Sequence, residues 1–139
     1  SRIEPEQGKF NEKEIEHYRD VIKALRERGI EPFVTLWHWP NPVWIGEKGA
    51  WENKETVKYF LRYAERVFNE YKDLVKFWVP LNEPSTATSY GYLFGKQPPG
   101  IKNKLAANKA PSMIPKFIIE VISNHNDSAS ALALPAFCQ

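Results

Sequence analysis

Two short apolar runs separated by one long amphipathic segment constrain the fold of this chain more than any other feature. The runs are Phe33–Trp37, bounded by prolines, and Val75–Leu81. Between them, apolar residues keep the helical period for four turns after Asn53: Val57, Phe60, Leu61, Ala64, Val67, Phe68 and Tyr71. A strand, a helix and a second strand at this spacing predict a parallel α/β arrangement.

A further helix is predicted before the first strand, from residue 12 to about Arg28. Asn11 can accept a backbone N–H as its N-cap, while acidic residues open the segment and arginines close it, as the helix dipole favours. Gly29 is the expected stop. Because Phe33–Trp37 is a short apolar run rich in β-forming residues, we expect that strand to be buried on both faces.

The segments after these elements are less regular. Pro80 cannot donate a hydrogen bond to a neighbouring strand, and so predicts a bulge or a strand end. Residues 85–103, with several glycines and prolines, predict a long functional loop. A helix is predicted to begin near Leu105. Residues 117–122 form an apolar run that fits a strand, a helix or an aggregation-prone segment.

Composition indicates a globular chain and excludes several classes of function. Apolar residues make up 42% of the 139 residues, charged residues 26% and aromatic residues 14%. The formal net charge of +2 is too small to indicate nucleic acid or an anionic membrane. One cysteine, Cys138, excludes an internal disulfide and a cysteine-based metal site. No apolar run approaches the ~20 residues of a membrane span, and no signal peptide is visible. Because the start looks truncated, that absence says little about secretion, so the location is left unknown, with a cytoplasmic one favoured.

The second apolar run ends on an amide and a carboxylate. Trp78–Pro84 reads Trp-Val-Pro-Leu-Asn-Glu-Pro, so Asn82 and Glu83 follow the strand directly. Catalytic carboxylates of sugar-cleaving barrel enzymes lie at this end of their strands. Glycoside hydrolysis usually needs two carboxylates. No other Asp or Glu in the chain has a comparable context.

Four motifs, in order, resemble those of glycoside hydrolase family 1 β-glycosidases. Ser1–Pro5 (Ser-Arg-Ile-Glu-Pro) is similar to the end of that family's second barrel strand, and Thr35–Trp39 (Thr-Leu-Trp-His-Trp) to the third. Gly49–Asn53 resembles the segment leading into the third helix, and Leu81–Pro84 the end of the fourth strand. The resemblance implies an α/β fold over residues 1–113: a partial TIM (β/α)8 barrel with parallel strands and alternating helices, covering roughly barrel strands 2 to 4.

The resemblance also implies roles for individual residues. Glu83 is expected to be the general acid/base of a retaining reaction, because a departing alkoxide needs a proton and the later attack by water needs a base. Asn82 is expected to hydrogen-bond the sugar 2-hydroxyl, His38 to contact hydroxyls in the non-reducing subsite, and Trp39 to form part of the wall beneath the sugar. Arg2 is expected to orient the nucleophile and keep it ionised. The mechanism needs no cofactor, and we identify no cluster of metal ligands.

The chain departs from the family in other respects. The family nucleophile lies in a later Glu-Asn-Gly segment, and the 139 residues contain no such tripeptide. A complete barrel takes about 250 residues. The first residue is not methionine, and the chain is too short for a whole barrel, so we expect it to be part of a longer protein. Because the nucleophile and the other strands are absent from these residues, we expect little or no activity from the chain alone. Residues 114–139 lose the family pattern and are predicted to form a divergent tail, disordered or irregular.

Three functions follow from these observations. The first is a segment of a retaining β-glycosidase that hydrolyses terminal β-linked glucosides or galactosides. Its partners would be β-linked oligosaccharides, aryl or alkyl glycosides, and the remainder of the barrel. The second is a non-catalytic carbohydrate-binding or self-associating half-barrel, and the third is a cellulase-like barrel endo-glycosidase. Neither nucleic acid nor a membrane is expected as a partner. A Glu-Asn-Gly segment downstream in the parent gene would favour the first.

Overall fold

The predicted parallel strands are present in the computed structural model, which describes residues 1–107. Strand β1 is Phe33–Trp37 and strand β2 is Phe77–Leu81. The two strands run parallel and keep the same offset from the first pair to the last. At their amino ends the rings of Phe33 and Phe77 are stacked, with centroids 4.6 Å apart and planes inclined by 8°.

Helices precede, join and follow these strands. Asn11 caps the first helix with its side chain, which accepts a hydrogen bond from the Glu14 N–H at 3.3 Å. Gly29 follows the end of that helix with a φ of +72°, a value that favours glycine. The elements are α1 (Glu12–Glu27), α2 (Val43–Glu47), a 3₁₀ turn (Ala50–Glu52), α3 (Glu55–Tyr71), α4 (Pro84–Thr88) and a π-helical turn (Ser89–Leu93). The helices predicted after Asn11 and Asn53 are therefore confirmed.

The core lies between the strands and the helices α1 and α3. The Tyr71 hydroxyl of α3 donates a hydrogen bond to the Ile15 carbonyl of α1 at 2.9 Å and ties the two helices together. A fully buried apolar side chain contributes about 1.5–3 kcal/mol. The buried apolar residues of these elements are Ile15, Ile22, Leu36, Trp37, Val57, Phe60, Ala64, Val67, Tyr71, Trp78 and Leu81.

The segment Ser1–Pro5, which resembles the end of the family's second barrel strand, is not part of a strand within residues 1–107. The Ile3 carbonyl accepts a hydrogen bond from the Asn11 N–H at 2.8 Å, which ties the segment to the start of α1 rather than to β1. The Glu4 carboxylate is buried. It accepts a hydrogen bond from the Gly8 N–H at 2.7 Å and forms an ion pair with Arg62 of α3.

The prediction that β1 is buried on both faces is wrong. Phe33 is 65% exposed and Thr35 is exposed, whereas Leu36 and Trp37 are buried. Within residues 1–107 the sheet has two strands, so β1 has a neighbouring strand on one edge only. A groove of about 460 Å³, lined by residues of β1, α1 and α3, lies beside it.

The structure tests two further predictions about the region of β2. Pro80 marks no bulge, because the pairing offset does not change, but it stands one residue before the end of β2 at Leu81, in agreement with the predicted strand end. Residues 85–103 do not begin as a loop. Pro84, whose fixed φ suits the first turn of a helix, starts α4, and the π-helical turn continues it.

The end of the described region is helical. Residues 104–107 are helical, consistent with the helix predicted to begin near Leu105. The predictions for the run 117–122 and the tail 114–139 lie outside the described residues. No helix among residues 1–107 combines the length and the apolar character that crossing a membrane requires.

Candidate active site

The carboxyl ends of β1 and β2 carry the residues that the sequence marked as catalytic or sugar-binding. His38 and Trp39 follow β1 directly, and Asn82 and Glu83 follow β2. The Asn82 N–H donates to the Trp37 carbonyl at 2.9 Å, which extends the strand pairing one residue further. The four residues therefore lie at the carboxyl-terminal rim of the strand pair, where parallel α/β folds place their active sites.

At this rim the side chains of His38, after β1, and Asn82, after β2, contact each other. The Asn82 Nδ2 and His38 Nε2 atoms are 3.3 Å apart. An amide nitrogen only donates, so this contact is a hydrogen bond in the His38 tautomer whose Nε2 accepts and whose Nδ1 carries the proton. Within residues 1–107 no hydrogen bond uses Asn82 Oδ1 or His38 Nδ1. An acceptor and a donor side by side suit sugar hydroxyls.

Trp39 is partly buried beside this pair and has an unusual backbone conformation. Its φ is +77°, a left-handed value that residues with a Cβ atom rarely adopt. Its indole Nε1 donates a hydrogen bond to the Asn82 carbonyl at 3.0 Å. Its ring lies beside the imidazole of His38, with centroids 5.6 Å apart. Trp39 therefore contacts both the side chain that follows β1 and the backbone that follows β2.

Glu83 also has a left-handed backbone, with a φ of +40°. Its carbonyl accepts a hydrogen bond from the Ala87 N–H at 3.0 Å and so starts α4. The side chain is exposed, and within residues 1–107 it takes part in no hydrogen bond or ion pair. Backbone conformations of this kind cluster at functional sites. The carboxylate is thus free to meet a ligand at the rim.

Arg2 is not in contact with this group. Its side chain is 68% exposed, and its Nη1 atom lies 3.9 Å from the Glu14 Oε2 atom of α1. In the part of the chain that the structure describes, no hydrogen bond or ion pair links Arg2 to His38, Asn82 or Glu83. The structure therefore brings together four of the five predicted site residues. The role of Arg2 stays a prediction.

A layer of packed side chains lies beneath the rim. Two of its members, Asn41 and Tyr92, were not predicted from the sequence as part of the site. Asn41 accepts a hydrogen bond from the Trp37 indole at 3.0 Å, and Trp37 packs edge-on against Trp51 with centroids 5.3 Å apart. The Tyr92 hydroxyl accepts from the Trp51 N–H at 3.0 Å, and burial raises the pKa of Tyr92 to about 12. Asn41 stands between two prolines in the segment after β1, a local signal that could have indicated it.

Comparison with known families decides what this arrangement belongs to. The protein-family model described as Glycosyl hydrolase family 1 matches residues 1–117 of this chain. The chain belongs to glycosyl hydrolase family 1. The resemblance stated from the four motifs is thereby confirmed. Within residues 1–107 there is no group of three or more His, Cys, Asp or Glu side chains that could hold a metal ion.

Relatives in glycosyl hydrolase family 1 are similar over most of this chain. Beta-glucosidase A of Thermotoga maritima is 39% identical over 110 residues, which are 78% of this chain and 25% of the relative. The 6-phospho-beta-galactosidase of Staphylococcus epidermidis is 42% identical over 103 residues, which are 73% of this chain and 22% of the relative. The chain therefore spans about a quarter of the length of these curated relatives.

Solved structures of the family have the same fold. The β-glucosidase of Thermotoga maritima in complex with deoxynojirimycin matches with a TM-score of 0.86 and 34% identity, over 91% of this chain and 29% of that one. The fold predicted for this chain, part of a (β/α)8 barrel with parallel strands and alternating helices, is confirmed by this match and by the parallel pair β1 and β2.

Proposed function

We propose that this chain supplies the acid/base part of the active site of a retaining β-glycosidase that hydrolyses terminal β-linked glucosides or galactosides. The observation that carries the proposal is the position of Glu83. Its carboxylate directly follows β2, is exposed, and shares the rim with the hydrogen-bonded pair of His38 and Asn82. Membership in glycosyl hydrolase family 1 favours this function over a cellulase-like endo-enzyme.

In this proposal Glu83 acts twice. As an acid it gives its proton to the glycosidic oxygen while the bond to the anomeric carbon breaks, and a carboxylate on the opposite face forms a glycosyl ester. As a base it then takes a proton from the water that attacks the same carbon, and the ester carboxylate leaves. The second carboxylate is expected in a Glu-Asn-Gly segment that these 139 residues do not contain.

The neighbours of Glu83 would bind the sugar. Asn82 Oδ1 would accept a hydrogen bond from the 2-hydroxyl, a contact that strengthens as positive charge develops at the anomeric carbon. His38 Nδ1 would donate to a further hydroxyl, and the Trp39 ring would form part of the wall beneath the sugar. Arg2 would orient the missing nucleophile. A cytoplasmic location stays a prediction.

The known proteins that resemble the chain support a glycoside substrate. Relatives include a β-glucosidase and a 6-phospho-beta-galactosidase, and a structural neighbour binds deoxynojirimycin. We therefore take β-linked oligosaccharides and aryl or alkyl β-glycosides as the substrate class. The whole barrel is required, because the acid/base and the nucleophile must face each other across the bond.

A transplant tests this proposal. Residues 1–107 replace the matching segment of Beta-glucosidase A from Thermotoga maritima, which supplies the rest of the barrel. This transplanted barrel should hydrolyse 4-nitrophenyl β-D-glucoside. Glu83→Gln should lower kcat by about 10²–10⁴-fold, the usual contribution of general acid–base catalysis. Azide should restore turnover by giving a β-glucosyl azide, because an anionic nucleophile attacks the ester without a base.

The matched control is Glu47→Gln, at the exposed end of α2. It should keep full activity. A folded transplanted barrel without activity, or a Glu83→Gln variant that behaves like Glu47→Gln, would refute the proposal.

A non-catalytic half-barrel is the second candidate, and the groove beside the unpaired edge of β1 favours it for the chain alone. The isolated 139-residue chain should not hydrolyse aryl β-glucosides. If the pure chain turns them over and Glu83→Gln abolishes that turnover, the expectation of inactivity is wrong. Glucoside binding without turnover, together with a defined oligomer, would support the second candidate.

A further inference from the structure

Trp39 is connected to the peptide bond that leads into Glu83. Its indole N–H donates to the Asn82 carbonyl at 3.0 Å, and that oxygen belongs to the peptide unit between Asn82 and Glu83. The other side of Asn82 is held as well, since its N–H donates to the Trp37 carbonyl at 2.9 Å. Trp39 therefore holds the peptide unit before Glu83, and Trp37 holds the peptide unit before Asn82.

Trp39 and the residue that follows its hydrogen-bond partner Asn82, which is Glu83, both have left-handed backbones. Trp39 has a φ of +77° and Glu83 a φ of +40°. A residue with a Cβ atom keeps such a conformation only when its surroundings determine it. At Glu83 the identified restraints are the Trp39 hydrogen bond on the preceding peptide and the Ala87 N–H on its own carbonyl. Removing the first should allow the peptide to rotate and Glu83 to move.

We propose that Trp39 is a positioning residue whose indole N–H holds the peptide before Glu83, so that the carboxylate faces the glycosidic oxygen. The inference rests on the proposed function of Glu83. It gives Trp39 a second role that is separate from the contact of its ring with the sugar. The indole N–H is already used by the Asn82 carbonyl, so this role is distinct from any contact of the ring with a sugar.

The first test uses the complete 139-residue chain and measures the carbon-13 chemical shift of the Asn82 carbonyl by NMR, because this carbonyl accepts the Trp39 indole N–H. In Trp39→Phe this carbonyl resonance should move upfield, because the carbonyl loses a hydrogen-bond donor. The matched control is Trp44→Phe, which also removes an indole donor to a carbonyl, that of Glu4 at 3.3 Å. The control should leave the Asn82 carbonyl resonance unchanged. Equal Asn82 carbonyl shifts in the two variants would overturn the inference.

The second test separates positioning of the acid from binding of the sugar, and uses the transplanted barrel. An alkyl glucoside needs a correctly placed acid because its leaving group is poor, whereas a nitrophenyl glucoside needs little help from a proton donor. Trp39→Phe should lower kcat/KM for octyl β-D-glucoside about 100-fold, as a misplacement of about 1 Å does. For the nitrophenyl glucoside the loss of kcat/KM should be much smaller, because its leaving group hardly needs the acid, whereas the smaller phenyl ring weakens the wall beneath the sugar equally for both substrates.

A second variant keeps the size of the ring. Replacement of Trp39 by 3-benzothienylalanine puts sulfur in place of the indole N–H, and should give the same selective loss on the alkyl glucoside. Full activity of this variant on the alkyl glucoside, or an equal loss on both substrates in Trp39→Phe, would overturn the inference. Rescue of Glu83→Gln by azide tests the proposed function separately. If that rescue is present and the selective loss is absent, only the role of Trp39 is wrong.

Discussion

The ion pair between Glu4 and Arg62 gives the sharpest prediction about stability. The side chain of Glu4 is 3% exposed and that of Arg62 is 37% exposed. Arg62→Met leaves the carboxylate buried with the Gly8 N–H as its remaining identified partner. Removing one member of a buried pair costs about 3–5 kcal/mol. Because Arg62 is partly exposed, we expect a smaller loss of about 2–3 kcal/mol in the free energy of unfolding.

Urea unfolding of the 139-residue chain, followed by tryptophan fluorescence, measures this loss. A loss of that size lowers the midpoint by about 1–2 M. The matched control is Lys58→Met, which breaks an exposed pair with Glu55 at 2.9 Å and should leave the midpoint nearly unchanged, because solvent screens exposed pairs.

A double variant keeps the test decisive if Arg62→Met does not fold. Glu4→Gln combined with Arg62→Met should be about 1–2 kcal/mol more stable than Arg62→Met alone, because a neutral amide needs no opposite charge. Two results would refute this reasoning: a loss in Arg62→Met no greater than in Lys58→Met, or a double variant no more stable than the single one.

Two further predictions concern burial in the described region. Burial raises the pKa of three phenols to about 12: Tyr63, Tyr71 and Tyr92. These phenols should stay neutral in the folded chain at a pH where the tyrosines of the unfolded chain ionise. Their contribution to the free energy of unfolding should therefore be complete below pH ~10 and be lost as the pH rises towards ~12. Phenolate absorbance with and without urea measures this, and six tyrosines titrating together near pH ~10 would contradict it. Gly91→Ala should cost about 1–3 kcal/mol in thermal unfolding, because the new Cβ would lie 3.0 Å from the Pro98 carbonyl oxygen. Gly46→Ala, in α2 with no atom within 4 Å of the new Cβ, should not destabilise the chain, and equal losses in both variants would contradict the steric argument.

The sequence predicted those parts of the fold whose signals are local. The helical period fixed α3, and the apolar runs placed β1 and β2 to within two residues. The placement of Asn82 and Glu83 after β2 also followed from sequence, because a strand end is marked by the residues next to it. The predictions that failed depend on distant partners. The exposure of Phe33, for example, is set by which strands lie beside β1.

The candidate site shows the same limit. The motifs indicated which residues stand at the rim, but not how they are bonded to one another. The hydrogen bond from Trp39 to the Asn82 carbonyl joins residues 43 positions apart, and it depends on a φ of +77° that nothing in the amino-acid pattern indicates. Bonds of this kind become visible only when the two strands are paired in register.

The stacked rings of Phe33 and Phe77 have a practical consequence for work on this chain. They stand at the opposite end of the strand pair from Glu83, and five-residue strands rising about 3.3 Å per residue separate the two ends by roughly 13 Å. Parallel barrels use this end for structural support rather than for chemistry. A fluorophore or an engineered cross-link could therefore be attached at these two phenylalanines to report on assembly of the barrel, with little disturbance of any sugar held at the far side.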